Sequence, residues 1–84
     1  MVHRIKPTDW VRIRRLEEKR AIEKSNELLR MIGSRRTIGQ VSRVKKRKKF
    51  PIEVAFDYGG RAYFAYLKPS ELEKVKPYWV KNKS

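Results

Sequence analysis

The chain has 84 residues, 23 Lys and Arg against 9 Asp and Glu, a formal charge of +14, and 39% hydrophobic residues. At this length only about 60% of the unfolded surface can be buried, so there is room for one minimal core, and an anionic partner would relieve the self-repulsion. The lack of cysteine excludes a disulfide framework, a thiolate zinc site and a cysteine nucleophile. No apolar run approaches the ~20 residues of a membrane span. The opening Met-Val-His-Arg-Ile-Lys has no apolar stretch before a small-residue cleavage site, so a cytoplasmic location is expected. Asn26, Gln40 and Asn82 are the only side-chain amides beside abundant Lys, Arg and Glu, a pattern that fits a thermophile.

Residues 8–15 read two ways. Thr8-Asp9-Trp10-Val11-Arg12-Ile13-Arg14 is either a strand with Val11 and Ile13 inward or the first turns of one helix running from Thr8 to Ile32. From about 16 to 33 the helix reading is clearer. Leu16 to Ile32 lacks Pro and Gly, Ile22, Leu29 and Ile32 form a modest apolar stripe, and Gly33 sits where a helix-ending glycine belongs.

Thr37 to Val44 then predicts a strand whose apolar residues, Ile38, Val41 and Val44, break alternation once, which places a bulge near Gly39. Lys45 to Lys49 is a loop of five consecutive cations. Phe50, Ile52, Val54 and Phe56 alternate with Pro51, Glu53, Ala55 and Asp57, the period of a half-buried strand. Gly59-Gly60 supplies the positive φ of a tight hairpin, and Ala62 to Leu67 returns as a strand apolar on both faces. One of those faces is expected in the core and the other against a partner. Lys68 to Leu72 predicts a turn with one helical turn beginning at Ser70, and Glu73 to Lys76 a short closing strand. A basic tail, 77–84, resembles a peptide ordered only on its partner.

Asp9-Trp10-Val11-Arg12-Ile13, Ile38-Gly39-Gln40-Val41, Phe50-Pro51-Ile52-Glu53-Val54-Ala55-Phe56 and Pro69-Ser70-Glu71-Leu72 follow in an order that resembles small SH3-like barrels. The resemblance covers about residues 9–14 and 37–76 and departs from the family in the helical insertion between the first two strands. It implies a mainly β fold, a five-stranded SH3-like barrel with an inserted α-helix, in one domain over residues 1–76. In charge and size the chain is most similar to the small ribosomal proteins of archaeal and eukaryotic type, which implies ribosomal RNA and neighbouring ribosomal proteins as partners. Fold alone does not fix function.

No catalytic constellation is legible. His3 is the only histidine and has no partner for a metal, the carboxylates fall mostly beside Lys or Arg, and Gly59-Gly60 is a turn rather than a phosphate loop. The expectation is a non-enzymatic protein without cofactor, metal, membrane or small-molecule substrate. A charge run ordinarily forms a solvated face, and Lys45-Lys46-Arg47-Lys48-Lys49 also fits a nuclear localisation signal. Yet residues 34–49 contain eight basic side chains and no acid, which points to phosphate. Arg35, Arg36, Arg43, Lys45, Lys46, Arg47, Lys48 and Lys49 are therefore expected on one RNA-facing surface, with Arg12, Arg14 and Arg15 contributing at the helix. Phe50, Phe56 and Phe64 read as core. Trp10, Tyr63, Tyr66, Tyr78 and Trp79 exceed what so small a core can hold, which leaves Tyr63, Tyr66 and Trp79 as candidates for stacking. One alternative is a chromatin-type protein that binds duplex DNA by inserting Tyr63 and Tyr66 with Val41 or Val44. Another is a scaffold subunit whose basic face docks an acidic protein.

Overall fold

The computed structural model describes residues 5–17 and 27–79. Within them lie β1 (Trp10–Ile13), α1 (Glu27–Ser34), β2 (Ile38–Val44), β3 (Ile52–Tyr58), β4 (Arg61–Leu67), a 3-10 turn (Pro69–Glu71) and β5 (Leu72–Lys74). The strands form one antiparallel sheet in the order β4-β3-β2-β1-β5. The protein is thus mainly β, with five strands and a helix between the first and second. The sheet is open: β4 and β5 are the ends of the strand order and do not pair with each other, so barrel closure, which the sequence resemblance implied, is not formed by strand pairing.

Residues 10–13 are strand, which decides between the two sequence readings. Val11 and Ile13 alternate into the core while Trp10 and Arg12 face away. Pairing on both sides holds the segment extended: Val11 lies opposite Gly39 of β2 and Lys74 of β5. The expected helix, about 16–33, is described only in part. Residues 14–17 are not helical, 18–26 lie outside the described residues, and α1 buries Leu29 and Ile32 on one side.

Gly33 does not end the helix by turning left-handed. The positive φ falls on Arg36, at 54°, with the Arg36 N–H bonded to the Gly33 carbonyl and the Thr37 N–H to the Ile32 carbonyl. That pair of bonds is a Schellman ending with Arg36 in the glycine position. Gly33 is small for another reason. A Cβ there would stand 3.3 Å from Ile13 Cγ2, so the missing side chain lets α1 approach β1 closely.

The bulge is displaced in the same way. The β2–β3 register shifts between Val41 and Arg43, at Ser42 and not at Gly39. Gly39 is buried between two strands, and a Cβ there would come within 2.7 Å of both Phe56 Cδ1 and Val54 Cγ1. It marks close packing. The β3–β4 hairpin matches its expectation: Tyr58 pairs with Arg61, and Gly59 and Gly60 both have positive φ, at 64° and 79°.

Val11, Ile13, Leu29, Ile32, Val41, Ile52, Val54, Phe56, Ala65, Leu67 and Leu72 form the core. Phe64 is not in it. Ala65 and Leu67 set the inward parity of β4, so Phe64 faces out and is 54% exposed. Phe50 is half-buried.

The closing turn holds a buried acidic side chain. Pro69 supplies the fixed φ that suits the first position of a helical turn, and Glu71 at its end is 1% exposed. The Glu71 carboxylate accepts the Lys68 N–H at 2.9 Å and the Glu17 N–H at 3.1 Å, while its carbonyl accepts the Arg14 N–H at 2.8 Å. Residues 14–17 are thereby tied to the closing turn, and Arg14 is positioned beside it.

Candidate nucleic-acid interface

Lys45, Lys46, Arg47, Lys48 and Lys49 connect β2 to β3, and all five are exposed. The loop is closed by a 2.7 Å hydrogen bond from the Lys45 N–H to the Pro51 carbonyl, and Arg47 adopts a left-handed φ of 71°. That conformation costs a non-glycine residue about 1 kcal/mol. Among the described residues none of the five forms an ion pair.

Two depressions flank the loop. The larger, about 860 Å³, lies between it and the closing turn; Arg14, Lys48, Lys49, Lys68 and Lys74 supply its cations, and Ile5, Pro51, Pro69 and Leu72 its apolar lining. Among the described residues Glu73 is its one carboxylate, and Glu73 is already paired with Arg12. The smaller, about 300 Å³, is lined by Lys45, Lys48, Lys49, Phe50 and Tyr66. Lys49 and Lys68 both approach the Phe50 ring, with Nζ 5.8 and 5.5 Å from its centroid. Lys48 and Lys49 line both depressions, so the loop is the ridge between them.

The other expected site residues divide. Arg14 and Arg15 are exposed just past β1, and Arg14 joins the larger groove. Arg12 is on β1 rather than on a helix, half-buried and paired with Glu73. Arg43 is exposed beside the loop but is 3.5 Å from Glu53 Oε1, so it has the compensating acid that its own segment lacks. Arg35 and Arg36 stand at the opposite end of β2 from the loop. They precede β2 whereas the loop follows it, and six strand steps separate the two by about 20 Å. Arg35 instead lies over the Tyr58 ring at 5.8 Å, next to the Gly59-Gly60 turn.

Tyr63 and Tyr66 fall on opposite faces of β4. Tyr63 packs partly buried against the core, across from Phe56, which takes it out of an exposed stacking surface. Tyr66 is on the outer face and 46% exposed. Its hydroxyl donates to Glu53 Oε2 at 2.6 Å, and Glu53 Oε1 accepts from the Ser42 hydroxyl at 2.6 Å. The Ser42 and Tyr66 hydrogen bonds, aided by the charges of Arg43 and Lys45, hold the Glu53 carboxyl below its usual range. The same bond to Glu53 pushes the Tyr66 hydroxyl above its ordinary value. Trp79 meets Trp10 edge-on, with centroids 5.7 Å apart, so the start of the basic tail rests against β1. Residues 80–84 lie outside the described residues.

Three contributors were missed from sequence. Lys68 and Lys74 reach the larger groove because the turn and β5 fold back beside β1. Phe64 was assigned to the core although its parity with Tyr66 places both on the outer face; that signal was present in the sequence. Among the described residues there is no group of three or more His, Asp or Glu side chains placed to hold a metal, and no helix is long and apolar enough to cross a membrane. No protein-family model, curated protein or solved structure matches the chain.

Proposed function

We propose that this chain is a non-enzymatic RNA-binding protein, a structural component of a ribosome that holds ribosomal RNA by its phosphates. The observation that carries this reading is the Lys45–Lys49 ridge: five exposed cations, without ion pairs among the described residues, standing between two depressions, the larger of which adds Arg14, Lys68 and Lys74. Such a surface attracts polyanions over several ångströms and releases counterions on contact, whatever the sequence of the nucleic acid. Recognition by backbone and shape is how folded RNA is commonly held.

The finer reading of the fold as SH3-like is supported by the strand order, in which β5 returns after a 3-10 turn to pair with β1. It is also supported by the four sequence segments that resemble that family. A cytoplasmic, archaeal-type ribosome is the setting this resemblance favours. The duplex-DNA reading loses three of its four wedge residues, because Val41 is in the core and Tyr63 and Val44 pack against it.

Sedimentation of native lysate on a sucrose gradient tests the proposal. Co-migration with a ribosomal subunit after a high-salt wash is expected. Release into DNase-sensitive nucleoprotein, or recovery as free protein, would overturn it.

A further inference from the structure

We propose that the outer face of β4, with the small cleft beside the loop, is a site for unpaired nucleotides: Tyr66 and Phe64 stack on bases while Lys45, Lys48 and Lys49 hold the adjoining phosphates. This rests on the nucleic-acid reading above and names the form of nucleic acid that it takes.

The geometry separates single strands from duplexes. Phe64 and Tyr66 are two residues apart on one strand face, so their Cβ atoms stand about 7 Å apart along β4. Successive bases in a duplex strand are stacked on each other at about 3.4 Å, with their faces covered. Two rings side by side at twice that spacing offer flat surfaces only to bases that have come apart. Stacking of this kind is tolerant of sequence, because every base has a π-face.

The charge around the rings selects the same ligand. The cleft of about 300 Å³ that Tyr66 shares with Phe50 has three lysines and, among the described residues, no carboxylate in its lining. An apolar protein surface docked there would bury those lysines without partners. A nucleotide supplies an aromatic ring and a phosphate together. Tyr66 is also held in advance: its hydroxyl is fixed on Glu53, and Glu53 in turn is held by Ser42 and Arg43. A ring already ordered loses little entropy when a base settles on it.

The test uses the full chain and three fluorescein-labelled RNA probes of about 12 nucleotides, a length within the usual site sizes of single-strand binders. They are a single strand, the blunt duplex of the same sequence, and an abasic single strand. Anisotropy titrations of the unaltered protein should give tighter binding to the single strand than to the duplex or the abasic strand. Tyr66→Leu and Phe64→Leu should each weaken single-strand binding about 5- to 150-fold and duplex binding by much less. Tyr66→Phe, which keeps the ring, should retain most of the affinity. Equal affinity for the single and abasic strands would overturn the inference whether or not the variants fold. So would a Tyr66→Leu/Phe64→Leu double variant that binds like the parent, and in either case the proposed function would stand. Failure to bind any of the three probes would overturn both.

Discussion

Basic side chains on the β1–β5 side of the sheet and those of the β2–β3 loop stand in opposite electrostatic situations. On the first side Arg12 is paired with Glu73, Lys74 lies 3.3 Å from Asp9, and Lys68 lies 2.7 Å from Glu17. In the loop, Lys45 to Lys49 form no ion pair among the described residues. Acidic residues are placed at the joints of the fold, and Glu71 goes furthest by being buried under the closing turn. Exposed pairs contribute little to stability, so their main effect is to orient side chains. Apart from the distant pull of Lys45 on Glu53 and the approach of Lys49 to Phe50, the loop's charge is left unneutralised, and its neutralisation falls to an external anion.

The largest expected effect comes from replacing Lys45, Lys46, Arg47, Lys48 and Lys49 together by Ala. RNA affinity, followed by filter binding, should fall at least ~100-fold at near-physiological salt. The thermal midpoint should hold or rise, since repulsion is removed. Arg12, Lys68 and Lys74 replaced by Ala make the matching control, with an expected loss below about tenfold. A control that loses as much as the loop variant would break the comparison.

Next comes Glu71→Ala, which leaves two backbone N–H groups without their carboxylate and should cost about 2–3 kcal/mol in a urea melt. Glu71→Gln keeps an acceptor and should cost less. A smaller effect is expected of Arg47→Gly. Glycine accepts the left-handed φ without strain, and after its own entropy cost the gain is at most about 0.5 kcal/mol. RNA binding should weaken at the same time, with a salt slope shallower by about one contact. A variant both more stable and as tight in binding would show that the cation at 47 touches no phosphate.

The smallest effect concerns pH. Glu53 titrates below its ordinary value of 4.5 in the folded state. Its contribution to stability is therefore present above that value and is lost as pH falls through the lower, folded one. Ser42→Ala removes the first cause of the depression, so an NMR titration of the Glu53 carboxyl should move up toward 4.5. An unmoved titration would mean that the hydrogen bond from Ser42 does not hold the carboxylate.

What the sequence disclosed follows the reach of each interaction. The β3–β4 hairpin was legible because alternation and Gly59-Gly60 are local signals. Residues 10–13 were not, since Val11 and Ile13 fit either period and only pairing with β2 and β5 decides. Gly33 and Gly39 each read locally as a backbone device, whereas each makes room for a side chain from a neighbouring strand, Ile13 or Phe56. The cationic loop could be read directly from five consecutive residues. Its companions could not: Arg35 and Arg36 are near it in sequence but separated from it by the length of β2, while Lys68 and Lys74 are distant in sequence and brought close by the closing turn.

The most direct test is the salt dependence of the parent protein's affinity for a ribosomal RNA fragment, measured between about 50 and 200 mM potassium chloride. The plot of log affinity against log salt should be linear, with a slope near −4 if the five loop cations each meet a phosphate, at roughly −0.7 to −0.9 per contact. The five-alanine variant should lose most of that slope. A slope near zero in the parent, or the same slope in both proteins, would contradict the account.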